Sequence, residues 1–123
     1  MMENENTKAV RRLIDALHAW DADAWANLHT EDVQGKAMIS GTTWSGRETA
    51  REHLLSWKET FETLHNEITG LYPSGDCVIL EIIASFKLAK ESRGRPAGTS
   101  HKQNEIFIYK FRDAMICESR SYG

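Results

Sequence analysis

Cys77-Val78-Ile79-Leu80-Glu81-Ile82-Ile83-Ala84-Ser85-Phe86-Lys87-Leu88 is the stretch on which the fold turns. Its even positions, Val78, Leu80, Ile82, Ala84, Phe86 and Leu88, are all apolar, whereas its odd positions mix Cys77, Ile79 and Ile83 with Glu81, Ser85 and Lys87. A period of two describes a strand with one buried face. Downstream, residues 103–111 repeat the pattern, with Phe107, Tyr109 and Phe111 on one face and Ile106 and Ile108 on the other. Residues 91–98, carrying Gly94, Pro96 and Gly98, read as the hairpin loop between them. Arg112-Asp113-Ala114 is a turn into a last strand over 116–122, and a turn at 72–76 closes an earlier strand over 66–71.

Upstream the period is helical. Val10, Leu13, Ile14 and Leu17 form one apolar stripe, which Trp20 extends, and Asp21 is placed to cap a second, shorter helix carrying Trp25 and Leu28. Residues 33–40 then read as a short strand. Ser45-Gly46-Arg47-Glu48 has capping-box spacing and opens a third helix, whose stripe is Ala50, Leu54, Trp57, Phe61 and Leu64, with Lys58 and Glu62 as a solvent-side pair. Helices followed by an antiparallel meander make an α+β fold. The two middle strands are apolar on both faces, and the helices can cover only one. Ile79, Ile83, Ile106 and Ile108 then call for a second cover, for which an identical sheet in a homodimer is the simplest source. A partly exposed sheet carrying scattered apolar residues is the alternative.

Composition narrows the function classes. The 123 residues fit one domain, 1–123, with residues 1–7 as a flexible N-terminus. Hydrophobic residues at 41% and charged residues at 27% are ordinary for a globular chain. A net charge of −3 offers no basic excess for phosphate, so nucleic acid is not an expected partner. No apolar run is long enough to span a membrane, and the polar start does not read as a secretory leader. Cys77 and Cys117 stand outside any metal-ligand pattern and read as buried free thiols, which fits a cytoplasmic location. His18, His29, His53, His65 and His101 form no HExxH, HxH or HxxxH pattern, and no GxGxxG or Walker motif occurs. Neither a metal nor a cofactor is expected.

Several short segments, taken in order, carry a resemblance. Ala19-Trp20-Asp21 ends the first helix, and Leu28-His29-Thr30-Glu31-Asp32-Val33 follows the second. Ser45-Gly46-Arg47-Glu48 opens the long helix, Gly75-Asp76-Cys77-Val78 opens a strand, and Phe111-Arg112-Asp113-Ala114-Met115-Ile116 precedes the last. Together, over residues 8–123, they resemble the SnoaL-like branch of the nuclear-transport-factor-2-like superfamily. The resemblance implies N-terminal helices packed in the concave face of a curved antiparallel sheet, a cystatin-like cone with a cavity inside. It also implies dimerisation through the outer sheet face. The superfamily includes polyketide cyclases, ketosteroid isomerases, epoxide hydrolases and proteins that only bind, so the fold does not fix the function.

The catalytic groups of those relatives do not carry over. The isomerase pattern would place its tyrosine at Leu13, its base at or next to Ala37 and its oxyanion acid at Phe107, and the cyclase acid would fall at Ser121. None of these can do proton chemistry at neutral pH. No Asp-Arg-Asp set of the epoxide-hydrolase kind is found. What remains is a mainly apolar pocket for a small organic molecule, lined by Leu17, Met38, Trp44, Trp57, Ile82, Gln103, Phe107, Tyr109, Ser119 and Ser121. The sharpest chemical reading is an acid/base pair of His53 with Glu105, which would make the protein a lyase, isomerase or hydrolase. His101 and Glu105 are four residues apart on one strand, about 13 Å, and cannot touch. Cys117, Ser119 and Ser121 are expected to share the inner face. A non-enzymatic interaction module using the exposed sheet is the third class.

Overall fold

The structure, a computed structural model, describes residues 4–123. Three helices pack in a curved, unclosed sheet of six strands: α1 Glu5–His18, α2 Ala22–Asn27, β1 His29–Ala37, β2 Thr43–Ser45, α3 Arg47–Thr60, β3 Phe61–Ser74, β4 Cys77–Leu88, β5 Ser100–Arg112 and β6 Met115–Tyr122. The strand order is β2-β1-β6-β5-β4-β3. The meander β3–β6 is antiparallel throughout, whereas β1 joins β6 in parallel. No helix is long and apolar enough to cross a membrane among the described residues.

The period-two reading of β4 holds at its even positions, since Val78, Leu80, Ile82, Ala84 and Leu88 are buried. The α1 stripe Val10, Leu13, Ile14 and Leu17 closes over them, joined by Tyr109, Phe111 and Ile116 from β5 and β6. These residues form the core between the helices and the sheet.

Several local expectations are corrected. Residues 1–3 of the supposed flexible N-terminus lie outside the described residues. From Asn4 the segment leads into α1, where the Asn4 side chain accepts from the Thr7 N–H at 2.8 Å and Thr7 is buried. Trp20 packs against the same core as the α1 stripe but from beyond the helix, which ends at His18, in a left-handed backbone with φ 54°. The early strand begins at His29 and ends at Ala37. No capping box forms at α3: Ser45 is taken up in β2 opposite Gln34, and the N-cap is Gly46, whose φ of 94° favours glycine. The third helix ends at Thr60, so Phe61 and Leu64 belong to β3. Glu62 accordingly pairs across the strands with Lys87 at 3.1 Å rather than with Lys58. Both cysteines are unpaired but half-buried rather than buried.

Candidate functional site

Pairing registers set the geometry of the concave face, because residues directly opposite one another share a face. Ala37, Ser121, Phe107 and Leu80 form one row across four strands. Gly35, Ser119, Tyr109 and Val78 form the row beside it, and Trp44 of β2 stands opposite Gly35. Glu105 and Gln103 continue the face opposite Ile82 and Ala84. A register shift in β6 puts Ile116, opposite Phe111, in line with Ser119. Cys117 therefore does not share the simple alternation with Ser119 and Ser121 that was expected of it.

Burial divides the expected lining residues. Leu17, Ile82 and Tyr109 are buried in the packed core. Met38, Trp44, Trp57, Gln103, Phe107, Ser119 and Ser121 are half-buried, together with His53 and Glu105. Met38 follows β1, its N–H donating to the Ser121 carbonyl at 2.8 Å. Ala37, Ser119 and Ser121 are thus small, half-buried residues of the concave face, with Phe107 beside them.

An aromatic cluster roofs the β1–β2 side. Trp44 meets His53 edge-on with ring centroids 5.0 Å apart, His53 stacks on Trp57 one turn along α3 at 5.9 Å, and Trp57 meets Trp25 of α2 edge-on at 5.6 Å. His29 completes the set, 5.6 Å from Trp25 and 6.4 Å from Trp44. Its Nδ1 lies 2.8 Å from the Trp25 carbonyl, an acceptor, so Nδ1 carries the proton and donates it. Burial holds His29 and His53 below the ordinary histidine pKa. The Trp25 indole N–H is buried without a partner. Sequence periodicity hides this cluster because its members come from four elements. The local signs are two aromatic pairs at i and i+4, Trp25 with His29 across a helix end and His53 with Trp57 within α3.

His53 and Glu105 make no hydrogen bond or ion pair with each other. His53 is held by the two tryptophan rings, while Glu105 belongs to a strip along β5. There His101 Nε2 and Gln103 Oε1 are 3.1 Å apart, which orients the Gln103 amide nitrogen away from His101. Burial pushes the Glu105 carboxyl above the usual carboxylate range, and hydrogen bonding from Gln103 pulls it partly back. Burial also raises the Tyr109 phenol, as does the nearby Glu105 charge. His101 and Glu105 do not touch, and Gln103 stands between them. No group of three or more His, Cys, Asp or Glu side chains is placed to hold a metal ion among the described residues.

A family model for the SnoaL-like domain matches residues 10–119, and the chain belongs to that family. No curated protein matches the sequence. Solved structures share its fold at low identity. One is a candidate polyketide cyclase from Xanthomonas campestris, with a TM-score of 0.86 at 18% identity, covering 97% of this chain and 90% of that one. A protein of ketosteroid-isomerase-like fold from Catenulispora acidiphila, solved in complex with trimethylamine, has a TM-score of 0.80 at 22% identity, over 94% and 85% of the two chains. An epoxide hydrolase from M. tuberculosis has a TM-score of 0.79 at 15% identity, over 96% and 81%. At these identities the likeness is one of fold.

Proposed function

We propose that this SnoaL-like domain binds a small, mainly apolar organic molecule on the open part of its concave face. One observation carries the reading. Phe107, Trp44 and Trp57 pack against the core yet stay half-buried, as do the small residues Ala37, Ser119 and Ser121 in the rows beside them. Half-buried aromatic surface around a small-residue floor, with Glu105 and Gln103 as polar tips, suits an organic ligand better than water. The row that relatives use for proton chemistry supports binding over turnover, because it holds Ala37, Ser121 and Phe107.

Two copies associate through the outer sheet face in this reading. Ile79 and Ile108 stand opposite one another there, flanked by Ile83 and by Ile106, which is 40% exposed. Burying such a face against its twin removes apolar surface from water. The unpaired cysteines suit a reducing cytoplasm, where we place the protein.

A second reading, acid/base catalysis, is favoured by the burial-raised Glu105 carboxyl. His53 would then act on the substrate from α3 rather than on Glu105 directly. The test is native mass spectrometry for a co-purified molecule, followed by thermal shifts with cyclic and aromatic compounds. A binder is stabilised by apolar compounds, and Glu105→Gln keeps that stabilisation. An enzyme turns over a compound that stabilises it, and Glu105→Gln abolishes turnover. Absence of any shift overturns both readings and leaves an interaction module.

A further inference from the structure

We propose that the ligand is an organic cation, an amine or ammonium compound, whose charge sits against Glu105 and whose apolar body lies on Phe107 and the floor beside it. This rests on the binding reading and names the ligand class for the same site. Glu105 is half-buried on the concave face, opposite the fully buried Ile82, with the backbone of Gly123 lying against its Cβ. No lysine, arginine or histidine forms an ion pair with it among the described residues, whereas Glu5, Asp23, Glu31, Asp32, Glu48, Glu59 and Glu62 all pair, and all are surface groups. The neutral Gln103 side chain is what the fold sets beside the Glu105 carboxylate.

A carboxylate withdrawn from water and left without a counter-charge is costly to keep ionised. A ligand that brings the missing positive charge recovers that cost, and a neutral ligand does not. A ligand carboxylate would add a like charge. The aromatic neighbour strengthens the choice. Phe107 is two residues along β5 on the same face, and its ring lies parallel to that of Tyr109 at an interplanar angle of 2° with centroids 5.9 Å apart. Alkyl groups on a cationic nitrogen are attracted to such rings both as apolar surface and through the ring quadrupole. Burial of the Glu105 carboxyl, which raises its proton affinity, acts in the same direction, because an ammonium group can take the place of the proton.

The test uses three probes with one apolar body: cyclohexylamine, cyclohexanol and cyclohexanecarboxylate, titrated calorimetrically at pH 7.5. The expected order is amine tighter than alcohol by tenfold or more, with the carboxylate weakest. In Glu105→Gln the amine advantage falls below threefold while cyclohexanol binding is kept. Equal binding of amine and alcohol to the native protein overturns the proposal, and so does an advantage that survives the substitution. If cyclohexanol binds without any preference for the amine, only the cation assignment fails. If none of the three binds, the binding reading fails with it. Salt supplies the second measurement, which stands even if the variant does not fold. The screening length at 1 M salt is about 3 Å, so attraction to the general negative charge disappears there while a close, partly buried pair persists. Loss of the preference at 1 M sodium chloride overturns the proposal.

Discussion

Gly35→Ala should loosen the aromatic roof through one clash. A Cβ built on Gly35 would lie 1.9 Å from Trp44 Cε2, 2.1 Å from Nε1 and 2.4 Å from Cζ2. Carbon atoms in contact sit about 3.5–4.0 Å apart, so the indole must retreat by roughly 1.5 Å or more. The backbone of Gly35 itself tolerates alanine, since its φ is not in the left-handed region. The cost therefore lies in what Trp44 touches. Retreat weakens its edge-on contacts with His53 at 5.0 Å and His29 at 6.4 Å. Such pairs contribute about 0.5–1.5 kcal/mol each, and overpacking alone costs about 1–3 kcal/mol. Trp44 is half-buried and can move outward, which puts the net loss at about 1–3 kcal/mol. For a domain of this size that lowers the melting temperature by roughly 4–12 °C. Calorimetry and urea unfolding read the loss, and near-ultraviolet circular dichroism reads the displaced indole. The double variant with Trp44→Ala isolates the cause: once the ring is gone, Gly35→Ala should be neutral or slightly stabilising, because alanine restricts the unfolded chain. An unchanged melting temperature and near-ultraviolet spectrum in the single variant would refute the reasoning. So would an equal loss in the Trp44→Ala background.

Other perturbations give equally definite outcomes. Glu105 has a raised pKa in the folded state, so its ionisation opposes folding; the penalty is absent below the unfolded value of 4.5 and accrues as pH rises through the folded value. Glu105→Gln should therefore melt higher than the native protein at pH 7.5, by a margin that vanishes towards pH 4, and a uniform margin across that range would contradict the assignment. His18 and His29 are lowered by burial, so the folded state binds fewer protons than the unfolded one. Stability should fall as pH drops below the unfolded value of 6.5 towards the lowered folded values, and His29→Gln should flatten that fall in thermal melts between pH 7.5 and 5. The outer-face dimer predicts a solution mass of twice 14.0 kDa by light scattering, converted to 14.0 kDa by the pair Ile79→Lys and Ile106→Lys. A native protein that runs as a monomer at 50 μM, a chosen test concentration of the order used for dimers of moderate affinity, removes the dimer.

Where the fold was legible, one periodicity acted over a whole element. The α1 stripe and the even residues of β4 could be read directly because each buries a single continuous face. Where elements meet, local pattern failed. Phe61 and Leu64 continue the helical stripe of α3 on paper, yet the chain turns extended at Phe61 because β4 offers a full ladder of backbone partners. Ser45 has the chemistry of a helix cap but is claimed by the sheet, leaving Gly46 to make the corner. The parallel β1–β6 pairing had no local signal at all, since it joins segments from opposite ends of the chain.

The site was legible only in part, for a related reason. Alternation placed Phe107, Glu105 and Gln103 on one face of β5, and the registers keep them there. Alternation says nothing of which helix covers which part of that face, so it does not separate Leu17, Ile82 and Tyr109, which are buried, from Phe107 and Ser119, which are half-buried. The same gap explains the missing contact between His53 and Glu105. Facing the same interior is a weaker condition than touching, and His53 spends its surface on Trp44 and Trp57. The consequence is chemical. With its imidazole engaged by rings and its carboxylate left without a cation, the concave face sets a carboxylate beside aromatic surface, and the proposed ligand is one that such a pair would select by charge before any proton is moved.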